Sequence, residues 1–305
     1  MTSCKLFASL VLAATTIVST LSAETHCPGN VASLPFRLVN RHQMIVPVSI
    51  NHAGPFSFLL DTGTQMTMVD PSLAAALHLE TTGHAEVASV GMQASASFAQ
   101  VDLVEAGSHS VANQEVLVYD LANLQTTGLN IQGVLGEDFL EQFDMLIDNV
   151  HGVLCLDNPG TMQAGVKGQH VLLLGPATNA GAPPLAHSLV VSAKLTDGMR
   201  PVRLKLDSGT NVPFLYNTTD YMALGLYRGA SLRGGGANGA QRTFTALPAQ
   251  EVKIGPVNLG KVTFITLAGA KKDSRTSDFD GLLTMGAFKR IMIDPANHFA
   301  VLEAW

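Results

Sequence analysis

Short apolar runs separated by polar and glycine-containing breaks follow one another along most of this chain, a pattern typical of β-strands. Two such runs, 44–50 and 56–60, flank the polar stretch 51–55 and predict a β-hairpin. Alternating positions from 84 to 119 predict several further strands. Asp70, followed directly by proline, has the features of a helix N-cap and predicts one short helix.

The second half of the chain repeats this order. Apolar runs at 189–195 and 202–206 are followed by a strand-rich stretch from 242 to 267. Between the halves, residues 159–185 are rich in Gly, Pro, Ala and Thr, which predicts a connecting segment. We therefore expect a first lobe over 31–158, a linker over 159–185 and a second lobe over 186–305.

One apolar run ends abruptly in an acid. Asp61 follows two leucines and precedes Thr62, Gly63 and Thr64. A carboxylate against an apolar wall is costly unless donors surround it, and a glycine turn flanked by two hydroxyls supplies them. Taken alone, the same residues also fit an ordinary turn.

A second copy of this loop changes that balance. Asp207 also follows an apolar approach and precedes Ser208, Gly209 and Thr210. Downstream, a strand-like run ends in Ile-Asp 87 positions after each acid, at residues 148 and 294. A matched spacing on this scale indicates that one supersecondary unit occurs twice. We expect the aspartates of these two Ile-Asp pairs to be solvated strand ends.

The two loops, 60–64 and 206–210, resemble the catalytic loops of aspartic proteases. The segments 134–140 and 143–148 resemble the continuation of that pattern in the retropepsin-like bacterial branch. The resemblance covers most of 40–157 and 187–305. It implies the acid protease fold, which is mainly β, with two similar β-barrel-like lobes, a few short helices and a cleft between the lobes.

The resemblance also implies roles for the loop residues. Asp61 and Asp207 are the expected catalytic pair, with Gly63 and Gly209 in the supporting loops. Two carboxyl groups about 3 Å apart share one proton, so the pair supplies both an acid and a base. The family assigns Thr62 and Ser208 to tying the loops together, and Thr64 and Thr210 to bonding the outer carboxylate oxygens.

Two elements depart from the family pattern. Thr284 stands where the first half has Gly136, unless Gly286 takes that place after a small shift. The substrate-covering flaps are also indistinct, because neither contains the tyrosine found in pepsin. The candidate substrate-binding residues in these flaps are all glycines, namely Gly91, Gly234, Gly235 and Gly236.

Composition excludes several other classes of protein. Of 305 residues, 47% are hydrophobic and 14% are charged, which suits a chain with an ample core. The formal charge of −6 and the lack of basic clusters argue against a nucleic-acid partner. The ten histidines are scattered without a metal-binding spacing, so we expect no metal and no cofactor.

The amino end indicates export. Lys5 precedes an apolar run over 6–21, a layout typical of a signal peptide, which we place at 1–23 with an uncleaved anchor as the alternative. Cleavage would leave no stable membrane insertion and only two cysteines, Cys27 and Cys155. They form a candidate disulfide in an oxidising compartment, although two separate thiols fit equally well.

These observations favour an exported, monomeric aspartic endopeptidase, periplasmic or secreted, that acts on peptide or protein substrates. A second hypothesis is a non-catalytic secreted binding or scaffold protein of the same fold, motivated by Thr284. A third keeps the enzyme but pairs the lobes of two chains.

Overall fold

The computed structural model of the protein describes residues 27–28, 31–39, 42–89, 92–122, 124, 130–162, 166–174, 189–195, 200–216, 230–235, 241–267 and 279–305. Strands account for 59% of these residues and helices for 7%, so the expected mainly β fold is confirmed. The predicted signal segment, Gly91 and Gly236 lie outside the described ranges. Within these ranges, the helices are too short or too polar to cross a membrane.

The elements of the first half are mostly short strands. Its strands are β1 Ser33–Pro35, β2 Arg37–Val39, β3 Gln43–Ile50, β4 Ala53–Leu60, β5 Met68–Val69, β6 Thr81–Ser89, β7 Met92–Ala106, β8 His109–Val118, β9 Gly133–Leu135, β10 Asp144–Asp148 and β11 Val153–Asp157. Its helices are α1 Pro71–Ala76 and α2 Glu137–Leu140. The α1 helix begins as expected, with the side chain of Asp70 accepting a hydrogen bond from the amide of Ser72.

The remaining elements are also mostly short strands. They are β12 Gln169–Leu172, β13 Val190–Lys194, β14 Val202–Asp207, β15 Phe214–Leu215, β16 Ser231–Gly235, β17 Gln241–Ala246, β18 Gln250–Ile254, β19 Val257–Val262, β20 Ile265–Leu267, β21 Gly281–Thr284, a 3₁₀ turn Met285–Ala287, β22 Phe288–Asp294 and β23 Phe299–Ala304.

Each half builds its own sheet around the strand that leads into an acid loop. In the first half the order is β2-β3-β4-β9-β5-β8-β7-β6, and an added β3–β7 pairing curls the sheet toward a barrel. In the second half the order is β16-β17-β20-β15-β21-β14-β13-β18-β19. Both sheets contain the same parallel pair, β4 with β9 and β14 with β21. The internal repeat is therefore present in the topology as well as in the sequence.

A third sheet joins the two halves. Its order is β1-β11-β10-β22-β23-β12, and the antiparallel pair β10–β22 crosses from one half to the other. Strand β12 belongs to the segment 159–185 and pairs with β23, so part of this connecting segment is itself a sheet strand. The structure joins Cys27 to Cys155 in a disulfide, which ties the region before β1 to β11. The lobe and linker boundaries remain predictions.

The expectation that the two Ile-Asp residues are solvated is wrong. Asp148 and Asp294 are 1% and 0% exposed. Each accepts hydrogen bonds from the turn that follows its strand, which offset the cost of burying a carboxyl group. Asp148 also binds Arg290 of the second half of the chain, with 2.7 Å between Nε and Oδ2. Burial raises the pKa of Asp148, but hydrogen bonds from His151 and Arg290 outweigh that effect and lower the pKa overall.

Candidate active site

Each acid loop starts where two parallel strands end together. Strand β4 pairs Leu60 with Leu135 of β9, and the amide of Asp61 donates to the Leu135 carbonyl at 3.0 Å. Strand β14 pairs Leu206 with Leu283 of β21 in the same way. Leu60 and Leu206 are both fully buried. The apolar approach therefore anchors each strand, and the acid is the first residue past that anchor.

Reciprocal hydrogen bonds lock the two loops together. Thr62 Oγ1 donates to the Leu206 carbonyl at 2.9 Å, and Ser208 Oγ donates to the Leu60 carbonyl at 2.8 Å. In return, the Thr62 amide donates to Ser208 Oγ at 3.0 Å, and the Ser208 amide donates to Thr62 Oγ1 at 3.1 Å. Both side chains are fully buried. The structure thus brings Thr62 and Ser208 into the linking position that the resemblance implied.

Each aspartate lies against the glycine of the opposite loop. A Cβ built on Gly63 would lie 2.5 Å from Oδ2 of Asp207 and 2.6 Å from its Cγ. A Cβ on Gly209 would overlap the carboxyl group of Asp61. Real Cβ atoms do not approach other heavy atoms this closely, so any larger residue would push a carboxyl group away. The two loop glycines are therefore required for this close approach.

The hydrogen bonds to the two carboxyl groups differ. Asp61 accepts from the amide of Gly63 on Oδ1 and from the hydroxyl of Thr64 on Oδ2, at 2.8 and 2.9 Å. Asp207 accepts on Oδ1 from the amides of Gly209 and Thr210, at 2.8 and 3.0 Å. The Thr210 hydroxyl instead donates to the carbonyl of Val212. Thr64 therefore makes the contact expected of it, whereas Thr210 contributes its backbone rather than its side chain.

The environment of Asp207 favours its protonated form. This residue is 7% exposed, and burial followed by repulsion from Asp61 raises its pKa to about 7. The charge of Lys205 and the amides of Thr210 and Gly209 act in the opposite direction but are weaker. Asp61 is more open to solvent than Asp207. The two acids are thus chemically unequal although their loops are nearly symmetric.

The threonine in the second half is accommodated without a shift in register. Asp207 pairs directly with Thr284, so Gly286 does not take the place of Gly136. In the first half, a Cβ on Gly136 would lie 2.6 Å from the Met66 backbone, which explains the glycine there. Thr284 has an extended backbone, and its Oγ1 caps the 3₁₀ turn by accepting from the Gly286 amide at 3.3 Å. The departure leaves the parallel strand pair intact.

Two of the four flap candidates, Gly234 and Gly235, lie within the described ranges. Gly234 and Gly235 end strand β16, which pairs with β17, and the residues between these strands lie outside the described ranges. In the first half, β6 and β7 pair as far as Ser89 and Met92, whereas Gly91 lies outside the described ranges. Substrate binding by these glycines remains a prediction.

Sequence reasoning missed two groups of residues that touch the loops. Gln43 Nε2 donates to the Gly209 carbonyl at 3.0 Å. Lys205 Nζ lies 3.0 Å from Oε1 of Glu137 and donates to the Gly63 carbonyl at 3.3 Å. Burial raises the pKa of Glu137 to about 7 despite the nearby ammonium. The sequence sign was a lysine two residues before Asp207, at the place where the first half has Leu59.

Comparison with known proteins agrees with this geometry. A family model described as aspartyl protease matches residues 46–139, which span β4, the first acid loop and most of α2. This match supports an aspartic protease family for the chain and protease activity in general. No curated protein matches the chain.

Proposed function

We propose that the chain is an exported aspartic endopeptidase whose catalytic pair is Asp61 and Asp207. The observation that carries this proposal is the mutual approach of the loops, in which each carboxyl group lies against the opposite loop glycine. Two carboxyl groups held close together share one proton, and this contact supports that role for the pair. The aspartyl protease match to the first loop supports the same reading.

The unequal environments suggest a division of roles. Asp61, which is more open to solvent and accepts hydrogen bonds from two donors, would act as the general base that takes a proton from an attacking water. Asp207, which holds its proton to a higher pH, would donate a hydrogen bond to the carbonyl oxygen of the scissile amide. The attack forms a tetrahedral intermediate. Proton transfer to the leaving nitrogen then lets the carbon–nitrogen bond break.

The loop contacts support a monomer, because the interlocking hydrogen bonds join Thr62 and Ser208 of one chain. They favour this arrangement over one in which the lobes of two chains pair. Light scattering of the purified protein tests it, and a dimer that dissociates together with loss of activity would contradict it. Export is tested by mass spectrometry of the mature amino terminus, expected just after residue 23.

Peptide cleavage tests the catalytic proposal against the binding or scaffold alternative. We expect the wild-type protein to cut members of a peptide library at acid to neutral pH, detected as new termini by mass spectrometry. Asp61→Asn and Asp207→Asn should each lower the rate at least about a hundredfold, the scale of a lost acid or base. Asp102→Asn, the same substitution at an exposed aspartate away from the loops, is the matched control and should keep the wild-type rate. Equal inertness of all four proteins would favour the non-catalytic alternative.

A further inference from the structure

A charged pair spans the two lobes directly beside the acid loops. Lys205 lies on β14, two residues before Asp207, and Glu137 is the first residue of α2 in the other lobe. Their side chains are 8% and 13% exposed, with 3.0 Å between Nζ and Oε1. The same ammonium donates to the carbonyl of Gly63, next to Thr62 in the first loop. The pair therefore contacts the site from behind and lies mostly out of solvent.

The internal repeat has apolar residues at the places equivalent to this pair. Leu59 occupies the place of Lys205 in the first lobe, and Met285 occupies the place of Glu137 in the second. Leu59 is 4% exposed and Met285 is fully buried, so apolar side chains fill the equivalent positions. A buried ion pair is often no more stabilising than apolar packing of similar volume. Stability alone thus gives no reason for charges on one side of the site.

Among the described residues, the charged groups that act on the pair include Asp61 and Asp207 of the site and Glu141 of the loop after α2. Asp207 is influenced by Asp61 and by Lys205, whereas Glu137 is influenced by Lys205, Asp61 and Glu141. The ammonium favours the ionised form of Asp207. Glu137 lies 3.0 Å from that ammonium and, in its ionised form, offsets part of the positive charge. Replacing Lys205 should therefore raise the pKa of Asp207, and replacing Glu137 should lower it.

We propose that Lys205 and Glu137 are a positioning pair, which ties the first acid loop to the strand of the second lobe and sets the charge that Asp207 experiences. This inference rests on the proposed role of Asp61 and Asp207 as a proton-sharing pair. Neither Lys205 nor Glu137 is assigned contact with the reacting atoms. Their effect passes through the Gly63 carbonyl and through the field at Asp207.

The test measures the titration of Asp207 in the intact protein by carboxyl ¹³C NMR, with resonances assigned from the Asp61→Asn and Asp207→Asn variants. Lys205→Leu introduces the residue found at the equivalent place in the first half, Leu59. It should raise the pKa of Asp207 by about one unit. Glu137→Gln should lower it by a smaller amount. In active protein, the pH at which kcat/KM declines on the alkaline side should move in the same direction as the pKa in each variant. Unchanged titration in both variants would overturn the inference.

A second variant covers the case in which Lys205→Leu fails to fold, since it leaves Glu137 buried without its partner. The double variant Lys205→Leu/Glu137→Met introduces the apolar residues already used at these places in the opposite lobe. It too should raise the pKa of Asp207, and an unmoved pKa would contradict the proposal.

Arg290→Met is the control for loss of an inter-lobe ion pair elsewhere. It should reduce stability without moving the titration of Asp207, and a shift as large as that of Lys205→Leu would make the proposed effect nonspecific. Because the NMR readout needs no turnover, it separates failure of this inference from failure of the protease proposal.

Discussion

Removing the hydroxyl of Thr62 tests the lock between the two acid loops. Thr62→Val keeps the shape of the side chain but loses the donor to the Leu206 carbonyl and the acceptor for the Ser208 amide. The hydrogen bonds that are lost lie in the interior, because Thr62 and Ser208 are both 0% exposed. An unsatisfied buried group costs about 1–3 kcal/mol, so losing both contacts should lower the free energy of unfolding by roughly 2–4 kcal/mol.

Activity should fall together with stability in this variant. The hydrogen bonds of Thr62 hold the loops at the separation that brings the carboxyl groups together, and a displacement of about 1 Å in a catalytic geometry can cost a hundredfold in rate. Urea unfolding followed by circular dichroism measures the first effect, and peptide cleavage measures the second. Thr62→Ser, which keeps the hydroxyl, is the matched control and should retain most of both. A Thr62→Val protein that matches Thr62→Ser in stability and rate would refute this account of the loops.

Three further predictions concern the same architecture. Gly209→Ala should lower the cleavage rate at least about a hundredfold, because the added methyl overlaps the Asp61 carboxyl, and a rate within a few-fold of wild type would contradict the close approach. Because the pKa of Asp207 is about 7, kcat/KM should decline as pH rises through about 7. Folding stability should decline over the rise from about pH 4 to 7 as well, since an unfolded Asp titrates near 4 and the folded site disfavours the ionised form. Asp207→Asn should show a smaller decline, because Glu137, whose pKa burial also raises to about 7, keeps its own contribution, and an identical pH dependence of the melting temperature would refute the assignment. Replacing Cys27 and Cys155 together by serine should cost about 2–5 kcal/mol of stability, and an unchanged melting temperature in non-reducing buffer would contradict a structural disulfide.

Much of the site could be predicted because short-range chemistry dictates it. A strand that ends in an acid needs donors within the next three residues, and Thr62, Gly63 and Thr64 supply a tight turn with hydroxyls. The repeat at Asp207 then indicated that two such turns belong to one arrangement. Their interlocking followed from family resemblance rather than from the residues, because a sequence does not show which side chains reach across 146 positions.

Other features depended on burial, which a sequence pattern does not show directly. Asp148 resembled an ordinary polar strand end, yet the sheet across the lobes buries it against Arg290. Thr210 matched Thr64 in sequence, but its hydroxyl bonds Val212 instead of the carboxyl group. Lys205 stood where the first half has Leu59, but the sequence did not show that its partner was Glu137 of the first half.

The strand-rich character, the duplicated unit and the two acids with their loop residues could be predicted from the amino-acid sequence, because alternation, turn chemistry and spacing are local properties of a chain. The tertiary structure decided that the acids are unequal. Burial and the one-sided ion pair arise only when the lobes pack together, and a pKa responds to everything nearby in space rather than to neighbours along the chain.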